Sequence, residues 1–328
     1  MGRLEEDLHD DLLVRVASHY FVDGMSQHDI AEAEHLSRPS VSRLLSEARS
    51  RGVVQFKVGR PVDRAHALEA ALLRTLPLRA CVVATGKPRA LYGAPNRSGY
   101  VAARYLESHL STVHQLGVAS SRSLSGLVAA MAHAVRPDLT VIDLLGCPPN
   151  SRTTVDEDAH TARSIAGRLG ARFQGLPGAF VHRTESSLNA ALALANVEDA
   201  MRLGAGSDMA IIGVGSMNRF DGTGIYSPVS RNELIRLAEN GAVGHVCGHF
   251  LRADGSLLQA ESVPLVLGIG PDGLRRIPRR IAMATGLPKV APIAAAVRGG
   301  YITELITDEA TAVTLLQLTQ RPSGTAFR

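Results

Sequence analysis

The chain has 328 residues, 45% of them hydrophobic and 20% charged, with a formal net charge of +4. That is enough for one large domain or for a small domain beside a large one. No apolar run is long enough for a membrane-spanning helix, the acidic start MGRLEEDLHDD has no apolar signal core, and Cys81, Cys147 and Cys247 have no CxxC spacing. No membrane partner, disulfide frame or zinc site is expected, and the cytoplasm is the expected location.

The distribution of charge says more than its sum. Residues 1–35 are acidic, with Arg3 and Arg15 their strong bases. Residues 36–60 carry Arg38, Arg43, Arg49, Arg51, Lys57 and Arg60 against Glu47 alone. A short basic segment beside an acidic one is an electrostatic footprint, or more plainly a solvated helix face. Leu12, Leu13, Val16, Tyr20 and Phe21 recur at helical spacing over 10–23, and Asp23-Gly24 closes that helix. Ser26 caps a short second helix over about 27–34, with Asp29 completing a variant capping box. Ser37 caps a third, and Pro39 falls in its first turn, where a missing N–H costs nothing. Val41, Leu44, Leu45 and Ala48 form its buried stripe, Gly52 ends it, and VVQFKV reads as a strand.

Counted from Gln27, Ile30 and Ala31 stand fourth and fifth, Leu36 tenth, Val41 fifteenth and Leu44 eighteenth. Those are the packing positions of a helix-turn-helix. Two residues depart from the pattern. Glu34 takes a place usually apolar, and His35 stands where a glycine is favoured for its positive φ. Arg38, Ser40, Ser42, Arg43 and Glu47 are then expected to face out. The N-terminal part of such a helix enters the major groove, where arginine pairs with guanine edges or phosphate. The DNA-contacting candidates are Ser26, Gln27, Ser37, Arg38, Pro39, Ser40, Ser42 and Arg43, and the expected partner is double-stranded operator DNA. The plain alternative is a capped three-helix bundle with exposed arginines.

From about residue 60 the texture changes. Residues 59–76 read as a linker and a connecting helix. Strand-like runs follow: ACVVATG, VHQLGVAS, LTVIDLLG, DMAIIGVGS, VPLVLGIG, RIAMATG and ITELIT. Helix-like runs lie between most of them, at about 97–109, 123–135, 155–169, 187–203, 231–239, 290–297 and 308–318. Apolar strands alternating with amphipathic helices predict an α/β domain over 77–328, doubly wound around a mostly parallel sheet. The tail TQRPSGTAFR reads as disordered.

In such a sheet ligands bind at the carboxyl ends of the strands. GVASSRS puts Ser120, Ser121 and Ser123 just past one strand, with Arg122 among them. LLGCPPN and IIGVGSMN end two others with Gly146, Gly213, Gly215 and Ser216. Each of these loops also reads as an ordinary strand-to-helix turn. In GHVCGHF a single strand would put His245, Cys247 and His249 on one face. No fourth ligand accompanies them, so no metal is expected. No catalytic motif is legible and no cofactor is implied.

At this point the chain resembles the SorC (DeoR-type) family of bacterial transcriptional regulators, over nearly its full length. LLVRVASHYFVDGMSQHDIAEAEHLSRPSVSRLLSEARSRGVVQFKV is similar to the family's helix-turn-helix. VIDLLG, IIGVGSM, GAVGHVCGHFLRADG, RRIPRRIAMATGLPK and AAAVRGGYITELITDEATAVTLL resemble its sugar-binding domain, in that order. The resemblance implies a fold like that of glucosamine-6-phosphate deaminase-like isomerases. It also implies a sugar-phosphate, sugar or polyol effector and a homo-oligomer, usually a tetramer. The family's loop GVGWGRTL reads GVASSRSL here. Gly117, Arg122 and Leu124 match and Ser123 replaces threonine, whereas Ala119 and Ser121 replace glycines and Ser120 an aromatic. Gly146 is kept beside Cys147, and Ser216 and Met217 match; Gly215, just before them, is also expected at the effector. His245 stands where an acidic residue is usual, and Lys289 matches a family lysine that could contact the ligand.

The reading is therefore a DNA-binding regulator, not an enzyme, controlled by a small carbohydrate-type effector. The alternative is a sugar-phosphate isomerase or deaminase-like enzyme with an added DNA-binding module, in which His245 would be the base. A third reading is a sensor whose turn at Glu34-His35 is too distorted for DNA.

Overall fold

The computed structural model describes residues 2–54, 64–86, 97–147, 161–217, 231–260 and 263–320. It divides into two compact units, Met1–Pro61 and Val62–Arg328. Most of VVQFKV, the linker before residue 64, residues 155–160 of one expected helix, and the tail from 321 lie outside the described residues.

The first unit is three helices, α1 (Gly2–Phe21), α2 (Gln27–Ala33) and α3 (Arg38–Ser50). Leu13, Val16 and Ala17 of α1 pack on Ile30 and Ala31 of α2 and on Val41, Leu44, Leu45 and Ala48 of α3. The apolar spacing that predicts a helix pair with a small residue at Ala31 is thus the spacing of the core. Helix α1 begins earlier than its apolar stripe and ends at Phe21, with Gly24 beyond it at a φ of +70°.

The second unit opens with α4 (His66–Thr75). This helix, read from sequence as a connector, sends Leu72 and Leu76 into the core and packs on β1 (Ala80–Ala84). The chain then runs through α5 (Arg97–Glu107), β2 (Gln115–Ala119), α6 (Ser125–Ala130), β3 (Thr140–Asp143), α7 (Thr161–Arg168) and β4 (Arg172–Gln174). Next come β5 (Val181–His182), α8 (Glu185–Leu192), α9 (Ala195–Ala205), β6 (Met209–Ser216) and α10 (Arg231–Glu239). They are followed by β7 (Gly244–Val246), β8 (His249–Leu251), β9 (Leu265–Val266), α11 (Pro271–Arg276) and β10 (Arg279–Met283). Helix α12 (Val290–Arg298), β11 (Glu304–Asp308) and α13 (Glu309–Gln320) complete it.

Among the described residues nine strands form the main sheet: β1-β11-β10-β6-β2-β3-β4 run parallel in that order, and β7 and β8 add antiparallel to β6. Its strands are apolar on both faces because both are covered. Cys81, Val83, Ala210, Ile212 and Leu305 face α4, α12 and α13. Val82, Leu116, Val118, Val141 and Ile211 face α5, α6 and α7. The fold is the expected α/β class.

Four elements differ from expectation. GHVCGHF is a hairpin and not one strand: β7 and β8 join antiparallel through Cys247 at φ +48° and Gly248 at φ +90°, the two-residue turn with both φ positive. VPLVLGIG contributes only β9, which pairs antiparallel with β5 off the main sheet. The helix read at 123–135 is a 3₁₀ turn, Arg122–Leu124, and then the short α6. Beyond it, Ala134 and Arg136 donate their N–H groups to the carbonyls of Arg168 and Leu169, which satisfies the end of α7. The helix read at 187–203 breaks at Leu194, and Val197 and Ala200 turn into a cluster with Leu176 and Leu267.

Candidate functional site

Two surfaces carry the expected residues, one in each unit. In the first, the Ser37 hydroxyl accepts the Ser40 N–H at 3.2 Å and meets the Ser40 hydroxyl at 2.8 Å. Pro39 fills the first turn of α3. With Val41, Leu44, Leu45 and Ala48 buried, Arg38, Pro39, Ser42 and Arg43 are exposed on the other side, and Ser40 is half-buried. At the start of α2, Asp29 N–H donates to the Ser26 hydroxyl and Ser26 N–H to the Asp29 carboxylate, each at 3.2 Å. The Ser26 hydroxyl also donates to that carboxylate, at 2.7 Å, and this bond first and the one from Ser26 N–H second hold the Asp29 carboxyl below its ordinary value. Ser26 is exposed and Gln27 half-buried.

Glu47 does not share the outward role expected of it. It is half-buried and meets His9 of α1 at 2.8 Å and Arg51 at 3.4 Å, while Arg51 reaches Asp10 at 2.7 Å. Glu47 therefore joins α3 to α1. The turn keeps its geometry despite its two departures. His35 adopts the left-handed conformation that its position requires, at φ +54°. Glu34 is paired with Arg15.

In the second unit the strand order sets the place. The chain adds β3 and β4 on one side of β2. It then returns to lay β6 on the other side and continues to β10 and β11. The order reverses between β2 and β6, and their carboxyl ends form the crevice where such sheets bind ligands. Ser120 and Ser121 follow β2 directly. The Ser121 side chain lies against Gly213 of β6, where a β-carbon would overlap it. Ser120 is 7% exposed. Both hydroxyl oxygens are buried without a hydrogen-bond partner among the described residues.

Beyond Gly213, strand β7 pairs with the end of β6, and His245 stands opposite Gly215. The His245 ring fills the space a β-carbon at Gly215 would need and packs at 5.5 Å on Phe250. Burial pushes the His245 pKa down to about 3, and the charge of Lys289 works in the same direction. A histidine so held is neutral at physiological pH. The Lys289 ammonium donates to the Val214 carbonyl. Its loop is fixed by Gly286, whose N–H donates to Asp308 and to Thr311, each at 2.7 Å.

Ser120, Ser121, Gly215, Ser216, His245 and Lys289 thus gather around the ends of β2 and β6. The surroundings of the others of the expected set are as follows. Gly117 lies inside β2, where a β-carbon would stand 3.0 Å from Leu144 and 3.1 Å from the Ser207 hydroxyl. Gly146 and Cys147 donate their N–H groups to Leu267 and Gly178. Arg122 is exposed and Ser123 half-buried in the 3₁₀ turn, and Met217 packs on the core. One half-buried acid near this end of the sheet was not singled out from the sequence. Asp143 ends β3 in register with Val118, two residues before Ser120. Burial raises its carboxyl to about 7, against the opposing charge of Arg163. An acid closing the apolar run TVID is the signal that could have found it.

The hairpin also alters the reading of His245, Cys247 and His249. His245 is paired with Phe250 and Val246 with His249, so the two histidines lie on opposite faces. The His249 ring Nε2 lies 3.0 Å from the Ile269 carbonyl oxygen. Among the described residues no group of three or more His, Cys, Asp or Glu could hold a metal ion, and no helix is long and apolar enough to cross a membrane.

Residues 60–317 match the family model described as "Putative sugar-binding domain". The chain is 29% identical over 326 residues to the transcriptional regulator LsrR of Klebsiella pneumoniae, covering 94% of both chains. It is 26% identical over 313 residues to the erythritol catabolism regulatory protein EryD of Brucella abortus, covering 94% of this chain and 98% of that one. Among solved structures it is similar to the full-length sorbitol operon regulator SorC from Klebsiella pneumoniae. The TM-score is 0.68 at 23% identity, over 93% of this chain and 98% of that one.

Proposed function

The chain belongs to the sugar-binding-domain family of SorC-type transcriptional regulators, and from that premise we propose how it works. It is a regulator and not an enzyme. Residues 1–58 are its helix-turn-helix and bind double-stranded operator DNA in the cytoplasm. Residues 77–328 bind a small carbohydrate-type effector and join copies of the chain into a tetramer.

The observation that carries this reading is the exposed face of α3. Its apolar stripe is buried against α1 and α2, which leaves Arg38, Ser42 and Arg43 on the open side of a helix capped by Ser37. Laid in the major groove, that face offers two guanidinium groups to guanine edges or phosphates and a serine to backbone oxygens. Ser26, Gln27, Ser37, Pro39 and Ser40 flank the strand backbones and set the register. The effector acts by linkage: it shifts DNA affinity by the difference between its affinities for the two arrangements of the oligomer.

Fluorescence anisotropy on labelled DNA from upstream of the protein's own gene tests this. Binding is expected to saturate, to weaken steeply with salt as counterions are released, and to change when one member of a carbohydrate panel is added. Absence of binding at low salt would overturn the regulator reading.

A further inference from the structure

We propose that the amino-terminal edge of the main sheet is a second DNA surface. Arg79, Arg275, Arg276 and Arg298 would lie along the phosphate backbone of DNA flanking the operator. The inference rests on the DNA-binding reading above and adds a contact outside the first unit.

The four arginines come from three places in the chain. Arg79 directly precedes β1, Arg275 and Arg276 end α11, and Arg298 ends α12. Strands β1, β11 and β10 lie side by side and parallel, so their amino ends share one edge. Hydrogen bonds fasten the arginines there. Arg79 Nη1 donates to the Pro278 carbonyl at 3.0 Å, just before β10. Arg275 donates to the Gly299 carbonyl, through Nε at 3.1 Å and Nη2 at 2.9 Å, and lies 4.4 Å from the Tyr301 ring centre. Arg298, next to Gly299, donates to the Ala253 carbonyl at 2.8 Å. Among them Arg280 is 8% exposed and donates to the carbonyls of Arg275, Ile277 and Gly300.

A carbonyl satisfies an N–H but does not neutralise a charge. Two acids stand at this edge in ion pairs: Asp272 meets Arg275 at 3.4 Å, and Glu304 meets Arg279 at 2.7 Å. Arg280 is surrounded differently. Burial lowers its pKa, and the charges of Arg79 and Arg275 push it in the same direction. Guanidinium groups that repel one another are stabilised when an anion is laid over them. Arg79, Arg275, Arg276 and Arg298 are exposed, so an anion can reach them.

The form of the patch selects the partner. The charges stand on the ends of separate elements rather than around one loop. Carbonyls and a ring hold most of them in place, so contact costs little side-chain freedom. A fixed row of cations suits a partner whose charge repeats, and duplex DNA carries one charge per about 1.7 Å of its axis. The proposed function already supplies that partner.

Anisotropy with the full-length protein tests the proposal on two labelled duplexes. One is the footprinted operator alone, and the other adds about 20 base pairs, roughly two helical turns, on each side. Wild type is expected to bind the longer duplex more tightly and with a steeper salt dependence. A triple variant, Arg79→Gln, Arg276→Gln and Arg298→Gln, is expected to lose at least ten-fold on the longer duplex. Its salt slope there should fall by about 3, one for each phosphate contact removed. Its affinity for the short duplex should stay within about two-fold of wild type. Lysine at the same three positions keeps the charge and should keep most of the length dependence. Arg276→Gln alone guards against loss of fold in the triple variant, with an expected fall in slope of about 1. Equal affinity and slope of wild type on the two duplexes overturns the proposal. So does an equal loss on both duplexes in a triple variant of unchanged melting temperature. A changed oligomeric state without any length dependence would assign the edge to a contact between copies and overturn it as well. In each of these outcomes operator binding by wild type leaves the regulator reading standing. Failure of wild type to bind either duplex overturns that reading, and the proposal with it.

Discussion

Arg15 of α1 grips Glu34 at the end of α2, with Nη2 at 3.1 Å from Oε2 and Nε at 3.3 Å from Oε1. His19 Nε2 stands 3.5 Å from the same carboxylate. A charge at a position expected to be apolar is thus met by two bases from the preceding helix. The Arg15 hydrogen bond is the main cause that holds the Glu34 carboxyl below its ordinary 4.5, against an opposing contribution from burial. A carboxyl whose folded pKa is depressed stabilises the fold above its unfolded pKa, and that contribution fades as pH falls through the folded value. Arg15→Ala is expected to speed hydrogen exchange of the α2 and α3 amides at pH 7. Its difference from wild type, corrected for intrinsic exchange, should shrink below the ordinary carboxyl pKa and close as pH falls through the depressed folded value of Glu34. A difference constant across pH would mean that Arg15 acts through packing alone.

His35 carries a second departure in the same turn. A side chain at φ +54° pays a steric penalty that glycine avoids, on the order of 1 kcal/mol. Glycine returns part of that through its freer unfolded chain. His35→Gly is expected to raise the stability of the first unit by up to about 1 kcal/mol, and His35→Val to lower it by more. Urea titration followed by exchange at the core of α3 measures both. Loss of stability in His35→Gly would show that the imidazole makes a contact worth more than the strain.

Arg43 is exposed on α3, with its Nε 3.5 Å from the Pro39 carbonyl oxygen. In Arg43→Ala the core of α3 is untouched, so the fold and effector binding should persist. If Arg43 lies on a phosphate, operator affinity falls on all sequences and the salt slope drops by about 1. If it reads a guanine, the loss concentrates on the wild-type operator and discrimination against a substituted base is lost. Anisotropy at several salt concentrations, on operator and on scrambled DNA, separates the two. An unchanged affinity on both DNAs would remove Arg43 from the interface.

The readable and the hidden parts of this chain differ for physical reasons. Strands β1, β2, β3, β6, β10 and β11 are apolar runs because both faces of the sheet are covered, and that signal is local. The helix pair of the first unit is equally local, since Ile30, Ala31, Val41 and Leu44 meet across one short turn. The two-residue strands β5 and β9 are too short to show a period. The β7–β8 hairpin was hidden because Cys247, a residue without turn preference, takes the first positive φ. The nearness of Ser121 to Gly213 depends on strand order, which no local pattern encodes. A β-carbon at Gly117 would meet Leu144, and one at Gly146 the backbone of residues 178–180, so local packing by itself calls for glycine at both.

Gly215 is different, because its missing β-carbon is what admits the His245 ring. Gly215→Ala should displace that ring and, with it, the arrangement of Lys289 around the Val214 carbonyl. Effector binding is expected to fall at least ten-fold with DNA binding intact, so that the operator complex no longer responds to the effector. Calorimetry and anisotropy on the same preparation check the two halves. A variant that still responds would place the effector away from β6.

Glu304 tests the scaffold beneath the site. It is 3% exposed, and it accepts two hydrogen bonds from Arg279, at 2.7 and 3.0 Å, and one from the Tyr105 hydroxyl at 2.7 Å. Strands β10 and β11 and helix α5 are therefore joined at the opposite end of the sheet from the serines. Burial works to raise the Glu304 carboxyl, but the bonds from Arg279 and Tyr105 prevail and its pKa is lowered. Removing Glu304 leaves the half-buried Arg279 and Tyr105 without this partner, so Glu304→Ala is expected to cost about 2–3 kcal/mol. Glu304→Gln keeps the shape and one acceptor and should cost less. Because the folded pKa lies below the unfolded one, the advantage of wild type over Glu304→Gln is complete at neutral pH and shrinks as the solution is acidified past the ordinary carboxylate range. Urea unfolding at pH 7 and again at a pH below the ordinary carboxylate range measures it, with effector affinity of the folded variants as the control. An equal cost for Gln at both pH values would mean that shape, and not charge, holds this end of the sheet together.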